Sequence, residues 1–182
     1  MSAPALRRTD IAMTQEQIQA ALSRGFAGRL ATVGADGYPY CVPMLYIWAD
    51  HQLFLHGTSA RGHLRANVEH EARACFELDE PGEVFDYGRF ECDSGLAYSS
   101  VILFGRISVA DDVAIRQWFC EQLMEKYGKS DSIRPKNFFP RLDVITVYAL
   151  RVERMTGKQR LLPELSEQWP AKDQTRTPNA RP

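Results

Sequence analysis

The stretch RLATVGADGYPYCVPMLYIW, at residues 29–48, decides the fold. Two β-prone runs flank the sequence Gly-Ala-Asp-Gly at 34–37, and an Asp-Gly pair between such runs predicts a β-hairpin. The second run, at 38–48, contains Pro39 and Pro43. Because proline has no N–H to donate to a ladder, part of this strand is expected at a sheet edge or a bulge.

Four more β-prone runs follow the hairpin, which gives about six predicted strands, mostly in meander order. They lie at residues 52–56, 73–78, 98–109 and 144–155. Strands dominate and no βαβα alternation appears, which favours a small antiparallel barrel over a Rossmann fold. Apolar residues occupy both faces of the last two strands, so we expect barrel core on one face and a partner surface on the other.

Three helices and one long loop are predicted around these strands. The first helix covers 14–24, with Thr14 and Gln17 as a capping box and a glycine stop at 25. The second begins at a cap residue, Thr58 or Ser59, and ends near residue 69; the third covers about 111–127. Residues 79–97 contain Pro81 and several glycines and predict a loop that is functional or covers a surface. The side chains expected to face inward are Leu64 and Val68 of the second helix, and Val113, Trp118 (or Ile115) and Leu123 of the third.

The composition is that of one globular domain with ragged ends. The 182 residues carry 22 basic and 23 acidic side chains, a net charge of −1, which argues against non-specific nucleic-acid binding. No apolar run approaches the roughly 20 residues that span a bilayer, and no signal-peptide pattern follows Arg7 and Arg8, so we expect a cytoplasmic protein. We divide the chain into a flexible N-terminus at 1–12, one domain at 13–160 and a polar, disordered tail at 161–182.

The common catalytic and metal-binding motifs are missing from the sequence. The four cysteines form no CxxC pair and the histidines have no zinc-site spacing, so we expect no metal. There is no Gly-x-Ser-x-Gly elbow, no Walker A sequence and no GxGxxG fingerprint. A hydrolytic triad, a P-loop and a dinucleotide-binding turn are therefore unsupported.

The segment HGTSARGHLR, at residues 56–65, leaves a strand and enters a helix. Hydroxyl groups, backbone N–H groups and cationic side chains converge there, and a helix N-terminus of this kind favours a phosphate group. Arg61 has a guanidinium suited to a bidentate, charge-assisted contact. The same residues also suit a capped surface helix with solvated arginines, and the local pattern does not separate the two interpretations.

Five segments resemble a known family in their order and spacing. Besides residues 29–48, they are LFLHGTSARGHLRAN (53–67), ACFELDE (74–80), SSVILFGRISV (99–109) and RVERMTGK (151–158). They resemble the pyridoxamine 5′-phosphate oxidase-like, FMN-binding split-barrel superfamily, and most of all the branch that includes 5-nitroimidazole reductase-like proteins. The resemblance implies a mainly β fold, a six-stranded antiparallel split β-barrel with flanking helices. It also implies a homodimer with two sites for flavin mononucleotide (FMN) at the subunit interface.

The resemblance further implies which residues contact FMN. The phosphate is held after the third strand, the flavin ring lies along the second strand, and the partner chain contributes from the long strand near residue 100. Whether Arg61 or His63 is the main phosphate anchor stays open. The implied residues are Pro43, Met44, Leu45 and Tyr46 for the ring, His56 beside it, Thr58, Ser59, Arg61 and His63 for the phosphate, and Ser99 and Ser100 from the partner.

Two departures from the family pattern argue against vitamin B6 oxidation. Family members usually place a lysine after the phosphate arginine, whereas Gly62 follows Arg61 here and His63 is the nearest substitute. A neutral His63 would hold phosphate more weakly and in a pH-dependent way. The C-terminal arginine-histidine elements that grip the vitamin's phosphate are also not evident, because RMTGKQRLLP at 154–163 leads into a polar tail.

Three functions stay open at this point. The favoured one is an FMN-dependent oxidoreductase that passes electrons from a nicotinamide donor to a small acceptor such as a nitroaromatic, a quinone or oxygen. The second is a flavin-binding module without turnover, and the third is a haem-binding protein on the same barrel, with His56 or His63 as a ligand. Because the flavin carries the redox chemistry, no side chain need act as an acid or a base, and the sequence names neither a catalytic residue nor a substrate.

Overall fold

The computed structural model of the protein describes residues 6–110 and 112–181. Within these residues the chain forms seven β-strands and three α-helices, with short 3-10 turns between some of them. The helices are α1 (Gln15–Arg24), α2 (His63–His70) and α3 (Val113–Tyr127). The strands are β1 (Gly28–Val33), β2 (Pro39–Met44), β3 (Tyr46–Ala49), β4 (Gln52–Thr58), β5 (Arg73–Asp86), β6 (Ser94–Val109) and β7 (Ile145–Arg160). No helix in the described ranges is long and apolar enough to cross a membrane.

The seven strands form one antiparallel sheet whose two edges are consecutive in sequence. The strand order is β2-β1-β5-β6-β7-β4-β3, and only Leu45 lies between edge strands β2 and β3. Since consecutive Cα atoms are 3.8 Å apart, the ends of these two edges lie within about 7.6 Å of each other. The sheet must therefore curl round until its edges meet, which makes it a barrel.

The predicted barrel is confirmed, with one more strand than the six expected. The run at 38–48 is two strands, because the chain crosses from one sheet edge to the other at Leu45. The prolines explain this placement. Pro39 and Pro43 both lie on β2, which pairs with β1 alone, so their missing N–H groups leave no gap in a central ladder. The edge position predicted for this segment is confirmed.

The predicted long loop at 79–97 is wrong, because most of it belongs to a β-hairpin. Strand β5 continues to Asp86 and β6 begins at Ser94, which leaves only residues 87–93 between them. The register shifts between Pro81 and Val84, so the strand is bulged there. A bulge tolerates proline because the extra residue need not donate to the ladder. Pro81 and its glycine neighbour therefore marked a bulge and not the end of the strand.

The first helix begins and ends where its local sequence predicts. The Thr14 side chain accepts from the Gln17 backbone N–H, the Gln17 side chain accepts from the Thr14 N–H, and Gly25 follows the last turn. The start predicted for α2 is wrong. Thr58 remains on β4, paired with Ile145, and the Ser59 N–H donates to the Val144 carbonyl at 2.9 Å, so neither residue caps the helix.

The third helix starts close to the predicted position, and Asp112 caps it by accepting from the Ala114 N–H at 2.7 Å. Asp111, the predicted first residue, lies outside the described residues. Val113 was expected to face inward but is 63% exposed, as the first residue of the helix. Trp118, Ile115 and Leu123 pack inward as predicted, around the fully buried Phe119.

Two hydrophobic clusters lie on opposite sides of the sheet. The larger fills the barrel and includes the inner face of α1, and its fully buried members include Leu22, Leu30, Leu53, Phe76, Leu103 and Leu150. The Val68 side chain of α2 belongs to it, and Leu64 packs against it, as predicted. The smaller cluster lies under α3 and contains Ile47, Phe119 and Val147. Helix α2 and helix α3 are thus each fixed to the barrel by their apolar side.

The segment after β7, for which the composition predicts disorder, contacts the hairpin loop at 87–93. The Trp169 N–H donates to the Asp86 carbonyl at 3.1 Å, and the Gln174 N–H donates to the Tyr87 carbonyl at 2.7 Å. Asp93, which is only 3% exposed, accepts from the Arg176 N–H at 3.5 Å. These contacts hold the described part of the tail along the end of the β5–β6 hairpin.

Candidate functional site

The link between β4 and α2 exposes an uncapped helix N-terminus. Strand β4 ends at Thr58 and α2 begins at His63, and no side chain caps the helix at Gly62. A Cβ added at Gly62 would meet no atom within 4 Å, so open space lies in front of the first turn. The side chains predicted to bind phosphate, those of Thr58, Ser59, Arg61 and His63, are all on exposed residues of this link. The combination of free N–H groups, the positive helix end and polar side chains suits an anion.

Two arginines share one carboxylate on α2. Arg61 contacts Glu69 at 2.7 Å and Arg65 contacts it at 2.5 Å. The hydrogen bond from Arg65, together with the charge of Arg61, lowers the pKa of Glu69. One positive charge therefore remains uncompensated within this group. The Arg61 side chain is 70% exposed, and an exposed ion pair is weak, so its guanidinium is available to a stronger anionic partner.

His63 connects this link to the strand predicted to hold the flavin ring. Its imidazole lies 5.6 Å from the ring of Tyr40 on β2, at a tilt of 33°. Pro43, Met44 and Leu45 follow on the same edge strand and its junction, and their exposure ranges from half-buried to exposed. The fold therefore brings β2 and the start of α2 together, as a site spanning both would require.

Tyr46 occupies a different environment from the three residues that precede it in the sequence, Pro43, Met44 and Leu45. Its side chain is completely buried, its hydroxyl donates to the Leu22 carbonyl at 2.7 Å, and its ring meets Phe76 edge-on at 5.1 Å. Burial raises the pKa of Tyr46, which keeps the phenol neutral. The side chain thus anchors β3 inside the barrel and presents no atom to the surface.

Lys126 of α3 lies beside Tyr46 and was not predicted from the sequence. Its Nζ donates to the Tyr46 carbonyl at 3.4 Å and lies 3.9 Å from the centre of the Tyr46 ring. Burial lowers the pKa of Lys126 to about 8, so part of its population is neutral near physiological pH. No local pattern marks this lysine, because the contact joins residues 80 positions apart.

His56 has a buried imidazole with an unsatisfied nitrogen. Its ring packs against Phe119 of α3 at 5.3 Å, and within the described residues its Nδ1 has no hydrogen-bond partner. Burial lowers the pKa of His56 and favours the neutral imidazole. The histidine lies two residues before the exposed end of β4, under the third helix.

Ser99 and Ser100 lie away from the β4–α2 link of their own chain. Both are on β6, which β7 separates from β4 in the sheet. Ser99 is 6% exposed and donates to Glu80 at 2.9 Å, whereas Ser100 lies between Asp79 and Lys158 in the ladders. A single chain therefore does not bring these serines to the candidate phosphate site, and their assignment to a partner chain stays a prediction.

The described residues contain no group of three or more His, Cys, Asp or Glu side chains that could hold a metal ion. All four cysteines are free, and those on β2 and β5 are separated by β1. At the β4–α2 link, the backbone N–H groups of the first turn and the exposed Arg61 offer binding of an anion.

A family model and several solved structures are similar to this chain. A family model described as pyridoxamine 5′-phosphate oxidase matches residues 14–159. No curated protein matches the sequence. Among solved structures, a putative 5-nitroimidazole antibiotic resistance protein from Bacteroides thetaiotaomicron is similar, with a TM-score of 0.67 and 19% identity over 81% of this chain and 86% of that one.

Two further solved structures share the fold. The flavocytochrome Anf3 from Azotobacter vinelandii has a TM-score of 0.72 and 20% identity over 90% of this chain and 77% of that one. An FAD-binding protein from Mesorhizobium loti has a TM-score of 0.59 and 20% identity over 82% of this chain and 96% of that one. At these identities the structures establish the shared barrel, and the family model covers most of the sequence. The chain therefore belongs to the pyridoxamine 5′-phosphate oxidase family that this model defines.

Proposed function

We propose that this protein binds FMN and uses it to pass electrons from a nicotinamide donor to a small acceptor such as a nitroaromatic, a quinone or oxygen. The observation that carries the proposal is the uncapped N-terminus of α2 at Gly62, beside the exposed Arg61. A flavin mononucleotide has one phosphate, and this link offers one anion site. The flavin-binding and redox proteins that share the fold support a flavin in general.

The residues of the link fit a phosphate monoester. The first-turn N–H groups of α2 would donate to its oxygens, and the hydroxyls of Thr58 and Ser59 would add neutral donors. Arg61 would exchange its exposed contact with Glu69 for a charge-assisted, bidentate contact. His63, whose ring lies 5.6 Å from that of Tyr40, would add a ring N–H donor.

The edge strand β2 and its junction would hold the ring system. Pro43 is exposed and has no N–H, so the backbone beside it is not committed to a second ladder. Met44 and Leu45 offer half-buried apolar contacts, and Tyr46 fixes the junction from inside the barrel. FMN, when bound, supplies the redox chemistry. The role of the protein would be to orient the ring, to exclude water and to hold a cation, Lys126, beside the junction.

We also propose that two copies of the chain form the working unit. Cys75 on β5 pairs in register with Phe104 on β6, and Phe104 in turn pairs with Arg154 on β7. In the part of the chain that the structure describes, Phe104 joins neither hydrophobic cluster, although it is half-buried under the Arg154 guanidinium. A second copy would cover this face and bring Ser100, on the same side of β6, to its partner's flavin.

One observation keeps a haem-binding function as the second candidate. The Nδ1 atom of His56 is buried without a partner, and an unsatisfied imidazole nitrogen is an available metal ligand. Against it, the imidazole packs against the ring of Phe119, at 5.3 Å between centroids. We therefore favour the flavin.

An absorption spectrum of the purified protein separates these functions. The proposal expects a two-band yellow spectrum, release of FMN on denaturation, and bleaching on addition of NADH. A Soret band would establish the haem protein instead. A yellow protein that NADH does not bleach when oxygen and other acceptors are removed would be a flavin-binding module without turnover. Release of FAD alone, or no flavin after reconstitution, would contradict the FMN assignment.

A further inference from the structure

The segment that follows α3 forms a groove against that helix. The groove has a volume of about 820 Å³, and its lining includes Glu121 and Glu125 from α3 together with Lys129, Arg134, Lys136 and Phe138 from the segment. Sites for small molecules and cofactors usually enclose about 300–1,000 Å³. The groove thus has room for a ligand as large as a nucleotide.

The groove combines three kinds of group: cations, carboxylates and an exposed aromatic ring. Its cations are uncommitted: within the described residues neither Lys129 nor Lys136 forms an ion pair, and Arg134 donates only to the Ser132 hydroxyl, at 3.1 Å. Its carboxylates are positioned by amides of α3, since Gln117 donates to Glu121 at 2.6 Å and Gln122 donates to Glu125 at 3.2 Å. The sum of these five charges is positive.

Phe138 supplies the third kind of group, an aromatic ring open to solvent. The ring is 67% exposed, which leaves apolar area that a planar ligand would cover. Asn137 adopts a left-handed backbone with φ 54°, so the chain turns sharply between Lys136 and Phe138. The cation and the aromatic ring therefore line the same groove from either side of this turn.

A second, smaller cavity lies beside the groove on α3. It has a volume of about 210 Å³, shares Gln122 and Glu125 with the groove, and is also lined by Trp48 and Lys126. Lys126 donates to the Tyr46 carbonyl at the β2–β3 junction. The two cavities thus share a part of α3, and the smaller one reaches the lysine that contacts this junction.

We propose that this groove binds the adenosine diphosphate half of the nicotinamide donor, an inference that rests on the proposed function. Arg134 and Lys136 would contact the pyrophosphate, and Phe138 would stack on the adenine. Glu121 and Glu125 would accept from ribose hydroxyls, the role that acidic residues have in dinucleotide sites. The smaller cavity would then lead the nicotinamide end toward the flavin ring.

Titration of the full chain with ADP-ribose, which cannot reduce a flavin, tests the groove without turnover. Isothermal calorimetry on flavin-free and FMN-loaded protein should detect binding in both, and NADH should displace the probe. The double variant Arg134→Glu with Lys136→Glu should weaken ADP-ribose about ten- to a hundredfold, and Phe138→Ala should weaken it also. The matched control is Arg141→Glu, on the same segment but outside the lining, which should bind as wild type does.

Three results would overturn the assignment. The first is that wild type does not bind ADP-ribose, and the second is that the double variant binds ADP-ribose as tightly as wild type does. The third is that NADH fails to displace ADP-ribose from wild type while the double variant loses affinity for FAD. The last result would give the groove to the adenosine of a flavin dinucleotide. Because the flavin-free titration needs no cofactor, failure of the chain to bind FMN would reject the proposed function and leave the nucleotide site standing.

Discussion

The Tyr127 hydroxyl bonds both backbone groups of Tyr46: it donates to the Tyr46 carbonyl at 2.8 Å and accepts from the Tyr46 N–H at 3.3 Å. Tyr46 is the first residue of β3, an edge strand, so no further strand satisfies these groups. Helix α3 thus closes the sheet edge through the Tyr127 hydroxyl, with a longer contact from Lys126, at the junction where the chain changes from β2 to β3.

Replacement of Tyr127 by phenylalanine should destabilise the protein by about 1–2 kcal/mol. It leaves the Tyr46 N–H without its partner, and the Tyr46 carbonyl keeps only the longer contact from Lys126, at 3.4 Å. The ring, and its edge-on contact with Phe26 at 5.4 Å, would remain. Urea unfolding of both proteins measures the difference. Tyr38→Phe, at a residue 75% exposed, is the control and should unfold as wild type does. A Tyr127→Phe protein as stable as the control would mean that water replaces the hydroxyl at no cost.

Lys126 should make stability rise with pH. Its pKa is about 8 in the folded chain against an ordinary value of 10.5, so between these values the unfolded chain binds more protons. The free energy of unfolding then increases as the pH rises through that window. Above pH 10 the buried Tyr46, whose pKa is raised, keeps its proton in the folded chain and loses it in the unfolded chain, so it lowers the free energy of unfolding. Urea unfolding at pH 7.5 and 9.5 should show the increase, and Lys126→Met should remove it; a parallel pH dependence in the variant would contradict this origin.

The features that the sequence predicted well are those controlled by neighbouring residues. The capping box of Thr14 and Gln17 acts within one helical turn, and prolines in β2 exclude a central strand whatever the rest of the chain does. The contact of Lys126 with Tyr46 escaped prediction because it depends on how α3 packs on the barrel. No periodicity in either segment carries that information.

The missed hairpin has a different cause. Pro81 reads as a strand breaker when its neighbours alone are considered, since proline lacks a donor. Its register opposite Tyr98 is held by the long ladders on both sides, and the shift before Val84 absorbs the irregularity.

The start of α2 was also missed because of a distant contact. The sequence placed it at Thr58 or Ser59 because hydroxyl residues favour caps. Pairing of Thr58 with Ile145 on β7, a partner far along the chain, extends the strand instead.

The proposed dimer should be detectable by light scattering at micromolar concentration. Stable obligate interfaces bury upward of about 2,000 Å², and an aspartate at Phe104 would place a charge within such an interface. We expect wild type at twice the monomer mass and Phe104→Asp at the monomer mass, with circular dichroism reporting its fold. Val113→Asp, at an exposed residue of α3, should remain a dimer. A monomeric wild type would reject the dimer outright.

Pyridoxamine and pyridoxine 5′-phosphate should not be turned over. The link has Gly62 after Arg61, and the segment after β7 lacks the arginine-histidine elements expected of a vitamin B6 oxidase. Formation of pyridoxal 5′-phosphate by the FMN-loaded protein is the measurement, and a rate near that of flavin bleaching by NADH would show that other residues hold the substrate phosphate.

The phosphate assignment is tested by Arg61→Ala and Arg65→Ala together. If Arg61 holds the FMN phosphate, its removal costs about 1.5–3 kcal/mol of binding, which is on the order of a ten- to hundredfold loss of affinity. Riboflavin, which lacks the phosphate, should bind almost equally to wild type and variant. Arg65 lies one turn further from the helix N-terminus, where attraction of an anion is weaker, so its removal should cost less.

The free energy of unfolding of the flavin-free protein should change little, because Arg61 contributes only an exposed ion pair with Glu69. Fluorescence titration of both variants with FMN and riboflavin decides between the outcomes: equal losses for the two ligands would make Arg61 a residue of the fold, and no loss for either would move the anchor to His63 or to the partner chain.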